Sequence, residues 1–141
     1  DPRIIFTGYA FGSDYAQLRS PALLYVQPSG IDGTRPALLD QMGFGNCVVV
    51  RDTKANVEVI GGAGATFSQH TPVESLRQTL TSLFAQPERI AALRPRALQR
   101  IETYYNWEWI VDFHEDLFRR LVDRKELISY DHFLQGRAAH D

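Results

Sequence analysis

Two aspartates, Asp32 and Asp40, lie with seven residues between them in the stretch SGIDGTRPALLDQMGFGNCVVV, which begins at Ser29 and ends at Val50. Asp32 stands in a loop that contains glycine and proline, whereas Asp40 stands in an apolar pattern typical of a helix. The helix start between them would offer free backbone N–H groups and the positive end of the helix dipole, which together attract phosphate. A carboxylate repels phosphate but accepts hydrogen bonds from neutral hydroxyl groups.

This order of groups suits a ligand that has phosphate in its middle and hydroxyls at both ends, which is the chemistry of a nucleotide sugar. Gly30 and Gly33 would let such a ligand come close to the backbone. We therefore expect Asp32 to face the sugar and Asp40 to face the ribose. An alternative interpretation is that Asp32 forms a simple turn and that Asp40 lies on a solvated helix face.

The composition is that of an ordinary globular domain, with 141 residues of which 44% are hydrophobic and 23% are charged. The formal net charge of −2 gives no electrostatic reason to expect nucleic acid or an anionic membrane as a partner. Apolar stretches fall short of the roughly 20 residues that a membrane span needs, and the N-terminus lacks the features of a signal peptide, which predicts a cytoplasmic protein. The histidines are scattered and form no ligand spacing with acids or with Cys47, so we expect neither a metal nor another cofactor.

Short apolar runs ended by glycine, proline or polar residues predict four strands, at Arg3–Gly8, Leu23–Val26, Val48–Val50 and Ala65–Phe67. Apolar residues at helical spacing predict a helix at Pro36–Met42 with Thr34 as its N-cap. Thr71 and Glu74 resemble a capping box and predict the start of another helix. Further helices are expected at Ser13–Ser20, as one turn at Asn56–Ile60, from Pro87 through Ile101, and from Trp107 to Leu121.

The alternation of short apolar strands with helices predicts an α/β fold, with a Rossmann-like parallel sheet and helices on both faces. In such sheets ligands bind beyond the carboxyl ends of the strands, which is where the loop carrying Asp32 would lie. We expect one domain at residues 1–122, including its long C-terminal helices, followed by a tail at residues 123–141 to which no structure is assigned.

The stretch from Pro28 to Val50 resembles the donor-binding domain of the retaining glycosyltransferases that are built from two Rossmann-like domains (GT-B type, family 4-like). That family has two acidic residues, usually glutamates, with seven residues between them, placed between a strand ending in Pro-Ser and a valine-rich strand. The resemblance extends to RIIFTGYA, ANVEVIGGAGATF and YYNWEWIVDFHEDLF, and so covers about 120 residues. The segment GTRPALLDQM is also similar to the subset of these enzymes that transfers deoxyhexoses such as rhamnose.

The resemblance implies a role for each matching position. Asp32 matches the first acidic position, which contacts the donor sugar, and it is therefore the catalytic candidate. Asp40 matches the second acidic position, which holds the ribose of the nucleotide. The other donor-binding candidates are Gly8 and Tyr9 in the turn beside the nucleobase, and Gly33, Thr34, Arg35, Pro36 and Ala37 in the loop that cradles the diphosphate and the sugar.

The resemblance also implies a larger transferase, of which this chain would be the incomplete C-terminal half and inactive alone. In the family, two further βα units precede the strand that matches RIIFTG, and they carry cations that neutralise the leaving diphosphate. An N-terminal acceptor-binding domain completes the enzyme. The complete enzyme would transfer a hexose or deoxyhexose from a nucleotide diphosphate sugar to a glycan, a lipid-linked saccharide or a protein. The transfer would need no metal and would retain the configuration of the sugar, and it would serve polysaccharide biosynthesis.

Two alternatives stay open at the level of sequence. The chain could be a non-catalytic module that binds a nucleotide or a sugar nucleotide, or a structural interaction domain that uses its final amphipathic helix. The aromatic run YYNWEW could stack on sugars or associate peripherally with a membrane, but its periodicity favours a helix that packs on the domain or against the missing half of the enzyme. Acidic residues such as Glu108 and Asp112 on the same helix disfavour anionic lipid.

Overall fold

The computed structural model describes residues 1–20, 22–31 and 33–138, so Asp32, the catalytic candidate, lies outside the described residues. The chain forms two compact units. The first, called here the sheet unit, comprises residues 1–103, and the second, called the helical unit, begins at residue 104.

The sheet unit is built on a three-stranded parallel sheet with the strand order β1-β2-β3. Val26 lies opposite Val49, and Val49 lies opposite Ala65. This confirms the α/β class with a Rossmann-like parallel sheet, and it confirms three of the predicted strands to within a residue. The strands are β1 at Leu24–Gln27, β2 at Cys47–Arg51 and β3 at Ala65–Phe67.

Five helices of this unit lie in segments where the sequence predicts a helix, the third of them expected only as a single turn at Asn56–Ile60. They are α1 at Gly12–Arg19, α2 at Pro36–Gly43, α3 at Lys54–Ile60, α4 at Pro72–Phe84 and α5 at Pro87–Tyr104. Proline stands in the first turn of α2 and of α4, where its missing N–H has no helical partner to lose.

Two predicted helix caps differ from the structure. The N-cap of α2 is Arg35, not Thr34, because Arg35 has extended backbone and Pro36 is already helical. Thr71 does occupy the N-cap of α4, but its side chain makes no capping hydrogen bond. Glu74 accepts instead from Arg77 and Gln78 within its own helix, so the predicted capping box does not form.

The two faces of β2 bury different partners, because successive side chains of a strand point in opposite directions. Cys47 and Val49 join a buried cluster with Leu83 of α4 and with Ile90 and Leu93 of α5. Val48 points to the other face, where its side chain and that of Ile60 in α3 both border Gly64. The helices therefore cover both faces of the sheet, as the sequence predicts.

The predicted strand at Arg3–Gly8 does not form, which corrects the sequence interpretation. The segment is not strand, and its apolar residues are exposed, up to 93% for Phe6. A strand needs a neighbouring strand to take its backbone hydrogen bonds, and β1, the edge strand of the sheet, pairs only with β2 among the described residues. The apolar composition of a segment does not show whether another strand lies beside it.

The helical unit contains α6 at Trp107–Val122 and α7 at Tyr130–Ala138. The sequence predicts α6, whose N-cap Asn106 accepts a hydrogen bond from the Glu108 N–H at 2.9 Å. The sequence does not predict α7, which lies in the segment expected to be a tail. Among the described residues, no helix combines the length and the apolar character needed to cross a membrane.

Candidate functional site

The loops that follow the three strands meet at the carboxyl edge of the sheet and are joined by hydrogen bonds. Asn56 of α3 donates to the carbonyl oxygens of Arg51 at 2.9 Å and of Ser29 at 3.5 Å, which ties the loop after β2 to the loop after β1. Asp52 accepts from the Gln69 N–H at 2.7 Å, which ties the loop after β2 to the loop after β3. The edge is therefore a connected surface rather than three separate loops.

The Arg51 side chain, at the end of β2, lies across this edge. Its guanidinium donates to the Gln69 carbonyl at 3.1 Å and lies so close to Gly30 that a Cβ atom there would collide with it. The Nε atom of Arg51 is buried and has no hydrogen-bond partner among the described residues. Sequence reasoning missed this residue, although a basic side chain directly after a buried strand is a signal that could have found it.

Arg35 approaches the same loop from the start of α2. Its guanidinium donates to the Ser29 hydroxyl at 3.1 Å, and its Nε atom is buried and without a partner in the described part of the chain. Arg35 and Arg51 therefore lie against two consecutive residues, Ser29 and Gly30. Within residues 1–20, 22–31 and 33–138, no carboxylate oxygen lies within 4.0 Å of either guanidinium.

The start of α2 adds a backbone donor beside Arg35. Pro36 has no N–H, and the N–H groups of Leu38 and Leu39 both point to the Arg35 carbonyl, at 2.9 and 3.2 Å. The Ala37 N–H is the amide that these bonds leave open at the positive end of the helix. Gly33, in the loop before it, has a φ of 122°, a left-handed conformation that favours glycine.

Asp40 has a partner that the sequence does not predict. Its carboxylate accepts from the guanidinium of Arg19, at the end of α1, at 3.0 Å, and 51% of the Asp40 side chain remains exposed. The Arg19 carbonyl accepts from Asn46, the residue before β2, so Arg19 is anchored near the amino end of that strand. The ion pair uses part of the Asp40 carboxylate, and its remaining lone pairs stay accessible to solvent.

The structure brings some of the predicted donor-binding residues together. Gly33, Thr34, Arg35, Pro36 and Ala37 form one continuous segment that enters α2 at the carboxyl edge. Gly8 and Tyr9 lie in the exposed N-terminal segment, where Tyr9 stacks on Phe11 with ring centroids 6.0 Å apart. No described contact joins Gly8 or Tyr9 to the loop after β1.

The chemistry available at the edge is anion recognition. A guanidinium presents its N–H groups in a rigid plane that matches the oxygens of phosphate, and a helix-terminal N–H donates to the same kind of group. Cys47 begins β2, at the opposite end of that strand from this edge, and burial raises the pKa of its thiol. Among the residues that the structure describes, no three His, Cys, Asp or Glu side chains are grouped to hold a metal ion.

The fold and the edge define an α/β protein with a Rossmann-like parallel sheet whose carboxyl edge carries a basic cluster. Comparison with protein-family models, with curated proteins and with solved structures finds no match to this chain.

Proposed function

We propose that the chain is the donor-binding part of a glycosyltransferase, which moves a sugar from a nucleotide diphosphate sugar to an acceptor with retention of configuration. The observation that carries the proposal is a pair of guanidinium groups, Arg35 and Arg51, which lie against Ser29 and Gly30 beside the start of α2 and have no carboxylate partner among the described residues. The resemblance of residues 28–50 to the GT-B donor domain supports the same ligand, since it assigns this loop to the diphosphate.

The chemistry of transfer explains why positive charge is needed there. When the bond from the anomeric carbon to the diphosphate breaks, negative charge develops on the leaving oxygen. The Arg35 guanidinium and the Ala37 N–H would stabilise this charge from the start of α2. From the resemblance, Asp32 would contact the donor sugar and Asp40 would accept hydrogen bonds from ribose hydroxyls with the oxygen lone pairs that Arg19 leaves open.

The proposal extends to a larger enzyme of the GT-B type that includes an acceptor-binding domain and acts in the cytoplasm in the synthesis of a polysaccharide or a related glycan. This extension rests on the resemblance alone. The 141-residue chain would then bind donor without transferring its sugar.

Ligand-dependent stabilisation tests the proposal directly. The 141-residue chain is heated with UDP, GDP, ADP or dTDP, with the matching sugar nucleotides, and with the free nucleosides as controls. A true ligand at a hundred times its dissociation constant adds about 2.7 kcal/mol to the free energy of unfolding and so raises Tm. The proposal fails if no nucleoside diphosphate and no sugar nucleotide raises Tm above the value with the nucleoside.

The role of Asp40 is tested by comparing Asp40→Ala with Arg19→Gln. Asp40→Ala should weaken donor binding about ten-fold, which is about 1.4 kcal/mol, because it removes the acceptor for the ribose hydroxyls. Arg19→Gln breaks the same ion pair but keeps the carboxylate, so calorimetry should find its donor affinity within about two-fold of wild type. Equal losses in both variants would assign the effect to the ion pair instead.

A second candidate function is favoured by α6, whose apolar stripe is exposed, with 77% of Trp107 and 61% of Phe118 open to solvent. Exposed apolar patches of this kind mark surfaces that bind other molecules.

A structural interaction domain would show no stabilisation by any nucleotide in the assay above. A non-catalytic nucleotide-binding module would show that stabilisation yet no transfer in the full protein.

A further inference from the structure

We infer that Arg51 is a diphosphate-binding residue and that it acts together with Arg35, so that this chain supplies a pair of cations to the leaving group. The inference rests on the proposed function for the identity of the ligand. Arg51 is the last residue of β2 and lies outside the segment that the resemblance assigns to the donor, so its role is derived from the geometry of the carboxyl edge.

Hydrogen bonds hold both the side chain and the backbone of Arg51. One guanidinium N–H group donates to the Gln69 carbonyl at 3.1 Å, while the backbone carbonyl of Arg51 accepts from Asn56 at 2.9 Å. The bond to Gln69 restrains the guanidinium itself, and a preorganised cation binds phosphate better than a mobile one.

The Nε atom of the same guanidinium has no hydrogen-bond partner in the described part of the chain. A buried donor on a charged group that lacks an acceptor is destabilising, and an anion placed there would offset that penalty. The nearest acid along the chain, Asp52, is engaged by the Gln69 N–H at 2.7 Å. Phosphate oxygens match both the charge and the planar geometry of guanidinium groups.

Gly30 sets the distance between the loop after β1 and Arg51. A Cβ atom on Gly30 would lie 3.0 Å from Cζ of Arg51 and would collide with its terminal nitrogen. The φ of Gly30 is not in the left-handed region, so alanine can adopt its backbone conformation. Gly30→Ala therefore displaces the guanidinium without removing its charge.

The test measures the binding of nucleoside diphosphates and of inorganic pyrophosphate to the 141-residue chain by calorimetry. Arg51→Ala should weaken the binding of both by about ten-fold or more. Arg51→Lys should recover part of the affinity, since it keeps the charge but loses the planar fork. Arg96→Ala is the matched control, since Arg96 is exposed on α5 and its removal changes the net charge equally; its affinity should stay within about two-fold of wild type.

Gly30→Ala supplies a variant that keeps every charge. It should weaken pyrophosphate binding by about three-fold or more while circular dichroism shows an unchanged fold. Combining it with Arg51→Ala should add little further loss, because the two changes act on the same guanidinium. Independent, additive losses in the double variant would contradict the assignment.

The outcomes separate this inference from the proposed function. Nucleoside diphosphates that bind wild type and Arg51→Ala equally well would overturn the role of Arg51 and leave the donor site standing. Pyrophosphate binding that depends on Arg51, without any preference for a nucleotide, would support the arginine pair and reject the nucleotide-sugar donor. Absence of both pyrophosphate and nucleotide binding in the folded wild-type chain would overturn both.

Discussion

The sheet unit and the helical unit carry the same kind of apolar stripe but use it differently. Leu83, on the stripe of α4, is 0% exposed and packs in the cluster beneath β2. Phe118, on the equally regular stripe of α6, remains largely exposed, and none of the side chains of Trp107–Val122 is fully buried. Apolar residues at helical spacing therefore predict a helix, but they do not determine whether its apolar face is covered.

The interactions inside each unit also differ. The sheet unit buries aliphatic side chains on both faces of β2. In the helical unit, Phe113 meets Tyr130 and Phe133 with ring centroids 5.1 and 5.5 Å apart, and Arg137 pairs with Asp112 at 2.5 Å. Exposed ion pairs contribute little to stability, so we expect the sheet unit to respond more strongly to substitution.

The largest expected difference is between Leu83→Ala and Phe118→Ala. Leu83→Ala leaves a cavity under β2 and should lower the free energy of unfolding by about 3 kcal/mol, within the usual range of about 2–5. Phe118→Ala, on the exposed stripe, should change it by less than about 0.5 kcal/mol. Urea denaturation of both variants measures the difference, and equal losses would show that the α6 stripe is covered in solution.

A pair of glycine substitutions gives effects of opposite sign. A Cβ on Gly64 would lie 2.7 Å from a Val48 methyl and 2.9 Å from the Val48 carbonyl oxygen, so Gly64→Ala should destabilise by about 1–3 kcal/mol. A Cβ on Gly136, in α7, meets nothing within 4 Å, and alanine there should stabilise the helix by about 0.5–1 kcal/mol. Thermal unfolding followed by circular dichroism measures both, and a stable Gly64→Ala variant would contradict the packing of β3 against β2.

Two tyrosines give a further pair of small effects. The Tyr25 hydroxyl donates to Gln27 Oε1 at 2.5 Å, so Tyr25→Phe should cost about 1 kcal/mol. The Tyr130 hydroxyl is buried without a partner among the described residues, so Tyr130→Phe should be neutral or slightly stabilising. Denaturation at neutral pH compares them, and a clear loss for Tyr130→Phe would reveal a partner for its hydroxyl.

The same tyrosines give a pH dependence of defined sign. Burial raises the pKa of Tyr25, with a further increase from Tyr15, and burial also raises the pKa of Tyr130, opposed by Arg137. An acid with a raised pKa in the folded state contributes stability that is complete below its ordinary pKa, about 10, and is lost as the pH rises through the folded value. Tyr25→Phe and Tyr130→Phe should therefore lose less stability than wild type as the pH rises above about 10.

Much of the candidate site could be predicted from local sequence. The segment from Gly33 to Ala37 leads into a helix whose start is predicted by proline and apolar spacing. The structure places this segment at the carboxyl edge of a parallel sheet. Arg51 could not be assigned in the same way, because its contact with Gly30 joins the end of β2 to the loop after β1 and depends on the register of the two strands. The partner of Asp40 was missed for the same reason, since Arg19 reaches it from another helix.

The sequence by itself determined the position of nearly every helix and strand between residues 22 and 122, because periodicity, prolines and glycines act over a few neighbouring residues. Tertiary structure decided which apolar segments became buried, since Arg3–Gly8 has strand-like composition but no strand beside it among the residues that the structure describes. It also decided which charges meet, because the reach of a guanidinium to a distant loop depends on how the strands align rather than on the residues next to it.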